Sequence, residues 1–158
     1  MHRDLIEQYA AGGPKLSTAI AGLSDHDLRA QPSSGGWTIA QIVQHLMDAD
    51  LIASDRMKRV IAEPFVPTLI GFDESAFAAN LFYNDLDAHI AADIFEKNRQ
   101  LTAHILRSCP DASFERIGNH NERGAMTLTT LLHYMVNHLD HHLKYIDEKR
   151  RLLENVAV

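Results

Sequence analysis

Cysteine is almost missing from this chain. Cys109 is the only one in 158 residues, so an intramolecular disulfide is impossible and a reducing cytosol is the expected location. No apolar run approaches the ~20 residues that cross a bilayer. The opening Met1-His2-Arg3-Asp4-Leu5 has no apolar signal core. The expectation is a soluble, cytoplasmic protein with no membrane partner. Positive charge is also scarce, with 15 basic against 21 acidic residues and a net charge of -6. A duplex-binding surface needs Lys and Arg to neutralise phosphates, and no basic stripe supplies them, so nucleic acid is not an expected partner. Strand-like alternation, internal repeats and low-complexity tracts are absent as well.

What remains is globular and helical. Hydrophobic residues make up 46% and charged residues 23%, enough to build one core over a single domain spanning residues 1–158. Apolar residues recur at helical spacing in four long segments. The first runs from about Arg3 to Leu23 and is broken at Gly12-Gly13-Pro14, because proline lacks an N–H and clashes with the preceding turn. Leu23 to Trp37 reads as a connector containing Pro32 and Ser33-Ser34-Gly35-Gly36, with a short helical turn at Asp25–Arg29 capped by Ser24. Thr38 and Gln41 form a capping box for the second helix, whose stripe is Ile39, Ile42, Leu46, Ala49, Ala53, Met57 and Val60 before Pro64 and Pro67 stop it. A long connection, Glu63–Asp87, holds a short helix near Asp73–Leu81. The third helix spans about Ala88–Arg107. The polar segment Asp111–Met126 leads to a Thr127 cap and a fourth helix reaching about Leu153. Four long helices with two long crossings suit an all-α four-helix bundle.

Ten histidines are the unusual feature, and histidine is the commonest metal ligand. On the fourth helix, taking His138 as zero, the apolar residues Leu131, Met135, Leu139, Leu143 and Ile146 fall at roughly 20° to 140°. His142 falls at about 40°, inside that arc, and His141 at about -60°, outside it. His138 and His142 therefore face inward together, and His141 leans towards solvent or a pocket rim. On the second helix His45 sits at the edge of its own apolar arc, as His138 does. Three imidazoles gathered at one end of a bundle interior need partners. One metal ion supplies a partner for all three, and three protein ligands with open positions is the pattern of a catalytic site. His133 falls on the polar face. His2, His26, His89, His104 and His120 read as surface residues, with His120 able to reach a pocket mouth.

Two stretches carry a resemblance. Trp37-Thr38-Ile39-Ala40-Gln41-Ile42-Val43-Gln44-His45 places a tryptophan eight positions before an inward histidine, and Asn137-His138-Leu139-Asp140-His141-His142 supplies an inward pair. With Phe72-Asp73-Glu74-Ser75-Ala76-Phe77-Ala78 and Gly124–Leu132, they resemble the DinB/YfiT-like family over nearly the whole chain. The resemblance implies an up-down-down-up four-helix bundle, often a homodimer, with zinc or nickel held at the positions of His45, His138 and His142. It also implies metal-dependent chemistry on small molecules. Some relatives transfer low-molecular-weight thiols such as bacillithiol or mycothiol, and others are described as metal-dependent hydrolases.

Three functions follow as expectations. The first is a metal-dependent thiol S-transferase, in which the metal lowers the thiol pKa. The second is a metal-dependent hydrolase, with Asp48, one turn beyond His45, or His141 as candidate general base. Asp48 can equally hold a ligand imidazole in place. The third is a non-catalytic dimeric small-ligand or stress-related binding protein. Asn80, Tyr83 and Asn84 lie where the long connection could cover the site, which makes them candidate substrate contacts.

Overall fold

The computed structural model describes residues 2–31 and 35–156. Pro32, Ser33 and Ser34 of the expected connector lie outside the described residues. The elements in chain order are α1 (His2–Ala11), α2 (Lys15–Ile20), α3 (Asp25–Arg29), α4 (Ile39–Ala62), β1 (Thr68–Leu69), α5 (Glu74–Asn80), α6 (Ala88–Ser108), a 3-10 turn (Asp111–Glu115), β2 (Ile117–His120), β3 (Gly124–Thr127) and α7 (Leu128–Val156). The helix starts are set by local chemistry. Ser24 and Thr38 each close a reciprocal capping box, with Asp27 and Gln41 respectively. Asp73 caps α5, and Asp87 accepts from both His89 N and Ile90 N at the start of α6.

A few long-range contacts fix the helix directions. Gln44 donates to the Asp87 carbonyl at 3.1 Å, so α4 and α6 start at the same end. Thr129 donates to the Phe114 carbonyl, so α7 starts where α6 has finished. Arg150 near the end of α7 donates to the carbonyls of Ala19 and Ala21, while His2 stacks on Phe114. The broken first helix (α1–α2) therefore runs alongside α7 and opposite to α4 and α6. This is a four-helix bundle in up-down-down-up order. No helix among the described residues is long and apolar enough to cross a membrane.

The expected stripes are the core: Ile39, Ile42, Leu46, Ala49, Ala53, Met57 and Val60 of α4 are all buried, as are Leu128, Leu131, Leu132, Met135, Leu139 and Ile146 of α7. The core is split in two. One cluster gathers Leu5, Met57, Leu106, Phe114 and Leu131, and the other Leu16, Ile20, Ile39, Phe95 and Ile146.

A polar knot lies between the two clusters. Arg99 is 1% exposed and gives Nε to Asp50 Oδ1 at 2.9 Å, one Nη to the Tyr9 carbonyl at 3.3 Å and the other to the Met135 carbonyl at 2.9 Å. Its guanidinium also lies 4.4 Å from the ring centroids of both Tyr9 and Phe95. Asp50 Oδ2 accepts from Tyr9 Oη at 3.2 Å and Asn98 Nδ2 at 2.8 Å. Burial pushes the Asp50 carboxyl upward, and the donors Arg99, Asn98 and Tyr9 oppose it. Gly12 is required by this knot, because a Cβ there would stand 2.4 Å from Arg99 Nη1 and 2.8 Å from Leu139 Cδ2. The Gly-Gly-Pro break thus lets α1 and α2 close over the arginine.

The absence of strands expected from the sequence is corrected. Among the described residues, β1 pairs in parallel with β2 through Thr68 with Asn119 and Leu69 with His120, and β2 pairs antiparallel with β3. These strands escaped because the buried positions of β2 are Gly118 and His120, so burial alternates but hydrophobicity does not. Gly118 faces inward because a Cβ would meet Leu69 side-chain carbons at 2.8 Å.

Removing one partner from a buried ion pair leaves the other charge uncompensated. Asp50→Ala is therefore expected to lower the unfolding free energy by about 3–5 kcal/mol in chemical denaturation. The double variant Asp50→Leu/Arg99→Met is expected to lose clearly less than the sum of the two single changes. Gly12→Ala is expected to destabilise in the same assay by displacing Arg99.

Candidate metal centre

His45 sits on the second turn of α4, counted from the Thr38 capping box. His138 lies three residues beyond Met135, whose carbonyl Arg99 grips, and His142 one turn further along α7. The structure brings these three together. Their ligand atoms lie within 4.8 Å of one another, and His45 Nε2 is 3.1 Å from His138 Nε2. Imidazoles bound to one ion at 2.0–2.1 Å place their nitrogens roughly 2.9–3.4 Å apart, so the closest spacing fits a shared metal. Nδ1 of all three rings is buried with no protein partner.

Electrostatics keep the cluster neutral. Burial, followed by the neighbouring His142, pushes His45 down to about 4; burial and the adjacent imidazoles push His138 to about 3; burial and His141 push His142 to about 4. Neutral imidazole is the form that ligates a metal. Orientation comes from aromatic packing rather than from carboxylates. Trp37 tilts against His45 at 5.1 Å, Tyr134 stacks on His138 at 5.7 Å and 15°, and His141 meets His142 edge-on at 5.3 Å.

The other expected site residues are placed as follows. Asp48 does not support His45. Its Oδ2 accepts from the Tyr83 hydroxyl at 2.5 Å. Tyr83 is 1% exposed, and its hydroxyl faces Asp48. Burial and Asp48 raise the Tyr83 phenol far above its ordinary range. Asn84 accepts from Thr38 Oγ1 at 2.7 Å and so braces the start of α4. Asn80 is exposed at the end of α5, and His141 is exposed beside Tyr145. His133, His26, His89 and His104 are exposed as expected, whereas His2 is half-buried against Phe114. His120, read as a surface residue, is only 6% exposed. Cys109 caps α6, its thiol donating to the Ile105 carbonyl.

Two clefts each reach one member of the triad. One includes His138 with Phe72, Arg56, His120, Arg123 and Tyr134. The other includes His142 with Trp37, Ile42, Tyr145 and Leu152, and is largely apolar. Sequence reasoning did not single out Arg56 and Arg123. Arg56 sits half-buried on α4 and Arg123 in the turn between β2 and β3, and the small sheet brings Arg123 to the cleft that Arg56 and His138 also line.

A family model described as the DinB superfamily matches residues 8–146. The chain belongs to the DinB superfamily. Among its relatives, a Geobacillus thermodenitrificans (strain NG80-2) protein named "Putative metal-dependent hydrolase" is 33% identical over 137 residues, covering 86% of this chain and 76% of the relative. YfiT of Bacillus subtilis (strain 168), which carries the same description, is 28% identical over 138 residues, covering 87% and 77%. The solved structure of YfiT, described as having an unusual four-helix bundle topology, superposes with a TM-score of 0.89 at 25% identity over 97% of this chain and 87% of that one. This DinB-superfamily chain thus shares both the fold and the chain order of that bundle.

The depressed imidazoles have a pH signature in metal-free protein. Unfolded histidine takes up its proton near 6.5, whereas the folded rings resist protonation until about 4 or below. Between those values the unfolded state binds more protons, so stability is full above pH 6.5 and falls as pH drops towards 4. Urea titrations across this window are expected to show that loss, and a His45→Ala/His142→Ala variant is expected to show a flatter profile.

Proposed function

We propose that this DinB-superfamily chain is a divalent-metal-dependent enzyme acting on a small molecule. The proposed reaction is the transfer of a low-molecular-weight thiol to an electrophile, with zinc or nickel held by His45, His138 and His142. The names of its relatives support metal dependence, and so does a triad of neutral imidazoles whose closest nitrogens fit one ion. The observation that carries the transferase reading is the pair of clefts. A bimolecular transfer needs two substrate sites near one reacting point, and the polar cleft at His138 and the apolar cleft at His142 support that reading.

A divalent ion in this site supplies Lewis acidity that lowers the pKa of a coordinated thiol. The protein's own residues do the rest. The three imidazoles stay neutral through burial, and Trp37, Tyr134 and His141 hold their ring planes. Trp37, Ile42 and Leu152 offer an apolar wall to an uncharged electrophile. In the transfer the S–H proton leaves to solvent, the sulfur pair forms the new C–S bond, and the leaving group departs with its bonding pair.

Hydrolysis is the second reading, favoured by Glu74. This carboxylate borders the polar cleft, and burial raises it above its ordinary range, towards that of a general base. Asp48 is engaged by Tyr83, which leaves Glu74 as the better-placed carboxylate for that role.

The test is elemental analysis of untagged protein together with an assay of small-thiol conjugation to 1-chloro-2,4-dinitrobenzene. Wild type is expected to hold near-stoichiometric metal. His142→Ala is expected to lose it together with conjugation, by about 100-fold or more. Glu74→Gln is expected to leave conjugation within about threefold of wild type, because a coordinated thiol needs no separate base. Conjugation that persists in chelator-stripped protein overturns the transferase reading. Metal-dependent ester hydrolysis that disappears in Glu74→Gln replaces it with the hydrolase.

A further inference from the structure

The polar cleft carries donors that the thiol chemistry does not use. Arg56 of α4 donates an Nη to the Ile70 carbonyl, which fixes its guanidinium against the segment before α5. Its Nε is buried and has no acceptor. Arg123, in the turn between β2 and β3, lies 4.6 Å from the Tyr134 ring centroid and donates to the Tyr134 hydroxyl at 3.2 Å. Neither arginine has a carboxylate within 4.0 Å among the described residues. Burial first, then the neighbouring Arg123, lowers the Arg56 guanidinium from its ordinary value, so the two cations are close enough to oppose one another.

His120 adds a third donor. Its Nδ1 accepts the Glu122 backbone N–H at 3.2 Å, which places the ring hydrogen on Nε2. Two unpaired guanidiniums and an imidazole N–H thus share one concave wall with His138. A partly desolvated donor set of this kind is unfavourable alone and is satisfied by an anionic oxygen acceptor. Glu74 and Glu122 also border the cleft, but neither brings a carboxylate oxygen within 4.0 Å of Arg56 or Arg123. Tyr134 links this wall to the triad, touching Arg123 and stacking on His138.

We infer that Arg56, Arg123 and His120 form a carboxylate-binding subsite beside the metal centre. The subsite recognises a small molecule whose carboxylate lies a few bonds from its reacting end. This deepens the proposed function, and on that reading the carboxylate belongs to the molecule whose other end faces His138.

The experiment titrates succinate, and separately its uncharged analogue succinamide, into the protein as purified and after chelator treatment. Binding is followed by isothermal titration calorimetry in every variant and, where Arg56 is present, also through its Nε–H resonance by heteronuclear NMR. Succinate is expected to shift that resonance and to bind at least tenfold more tightly than succinamide, with or without metal. Arg123→Gln, a change in an exposed turn, is expected to remove most of this preference while metal content stays unchanged. Equal binding of the two compounds overturns the subsite, and so does a preference that survives in both Arg123→Gln and Arg56→Gln. Because this arm needs neither thiol nor turnover, succinate selectivity in a protein that conjugates no thiol supports the subsite and sinks only the transferase reading. Thiol conjugation with no succinate selectivity sinks only the subsite.

Discussion

The bundle depends on one buried guanidinium. Arg99 bonds to Asp50 on α4 and to the main-chain carbonyls of Tyr9 on α1 and Met135 on α7, while itself belonging to α6. Removing a cation from water costs several kcal/mol, and that cost is offset only if every donor finds a well-placed acceptor. Each of the three guanidinium nitrogens of Arg99 has an acceptor, and two aromatic faces flank the group. Its demands spread outward. Position 12 can carry no side chain, the first helix must break, and the apolar core divides into one cluster above the knot and one below. Because the Met135 carbonyl is held, the axial position of α7 against α4 is held too. That register sets His138 opposite His45.

The triad is built differently from the knot beside it. The knot is charged and fully paired, whereas the triad is neutral and its Nδ1 atoms have no protein partner. Metal-binding imidazoles are usually steered by a carboxylate or carbonyl on the second nitrogen. Here packed rings do the steering, with Trp37, Tyr134 and His141 each set against one member. Ring packing fixes orientation without adding negative charge. The site's electrostatics are therefore left to burial and to the neighbouring imidazoles, with Arg99 also contributing to holding His138 neutral.

The small sheet gives the bundle its polar cleft. A bundle face alone offers side chains from parallel cylinders, which leave shallow grooves. The three short strands close one end of the groove and carry His120 and the turn bearing Arg123 to the edge of the triad. At 25% identity to YfiT the fold persists over 97% of this chain, as expected when apolar stripes and core volume are kept while individual side chains change.

Much of this was legible in the residues. Capping boxes, proline stops and 3.6-residue stripes are local, so the seven helices' ends and inward faces follow from short stretches of chain, and the angles around α7 separate His142 from His141 before any packing is known. Asp50 and Arg99 left a fainter trace as charges on otherwise apolar helix faces, and a single helix cannot say which distant group pairs with which. The strands left none, since the inward residues of β2 are glycine and histidine. Asp48 illustrates the limit: its spacing from His45 suits catalysis or support of the imidazole, but the partner it took was Tyr83, 35 positions along the chain. By itself the sequence determined the helices, their buried faces and the three histidines able to meet, because those depend on neighbours within a turn or two. The tertiary structure decided the hydrogen-bond partners, the polar cleft and its unpaired arginines, because those depend on contacts between segments far apart in the chain.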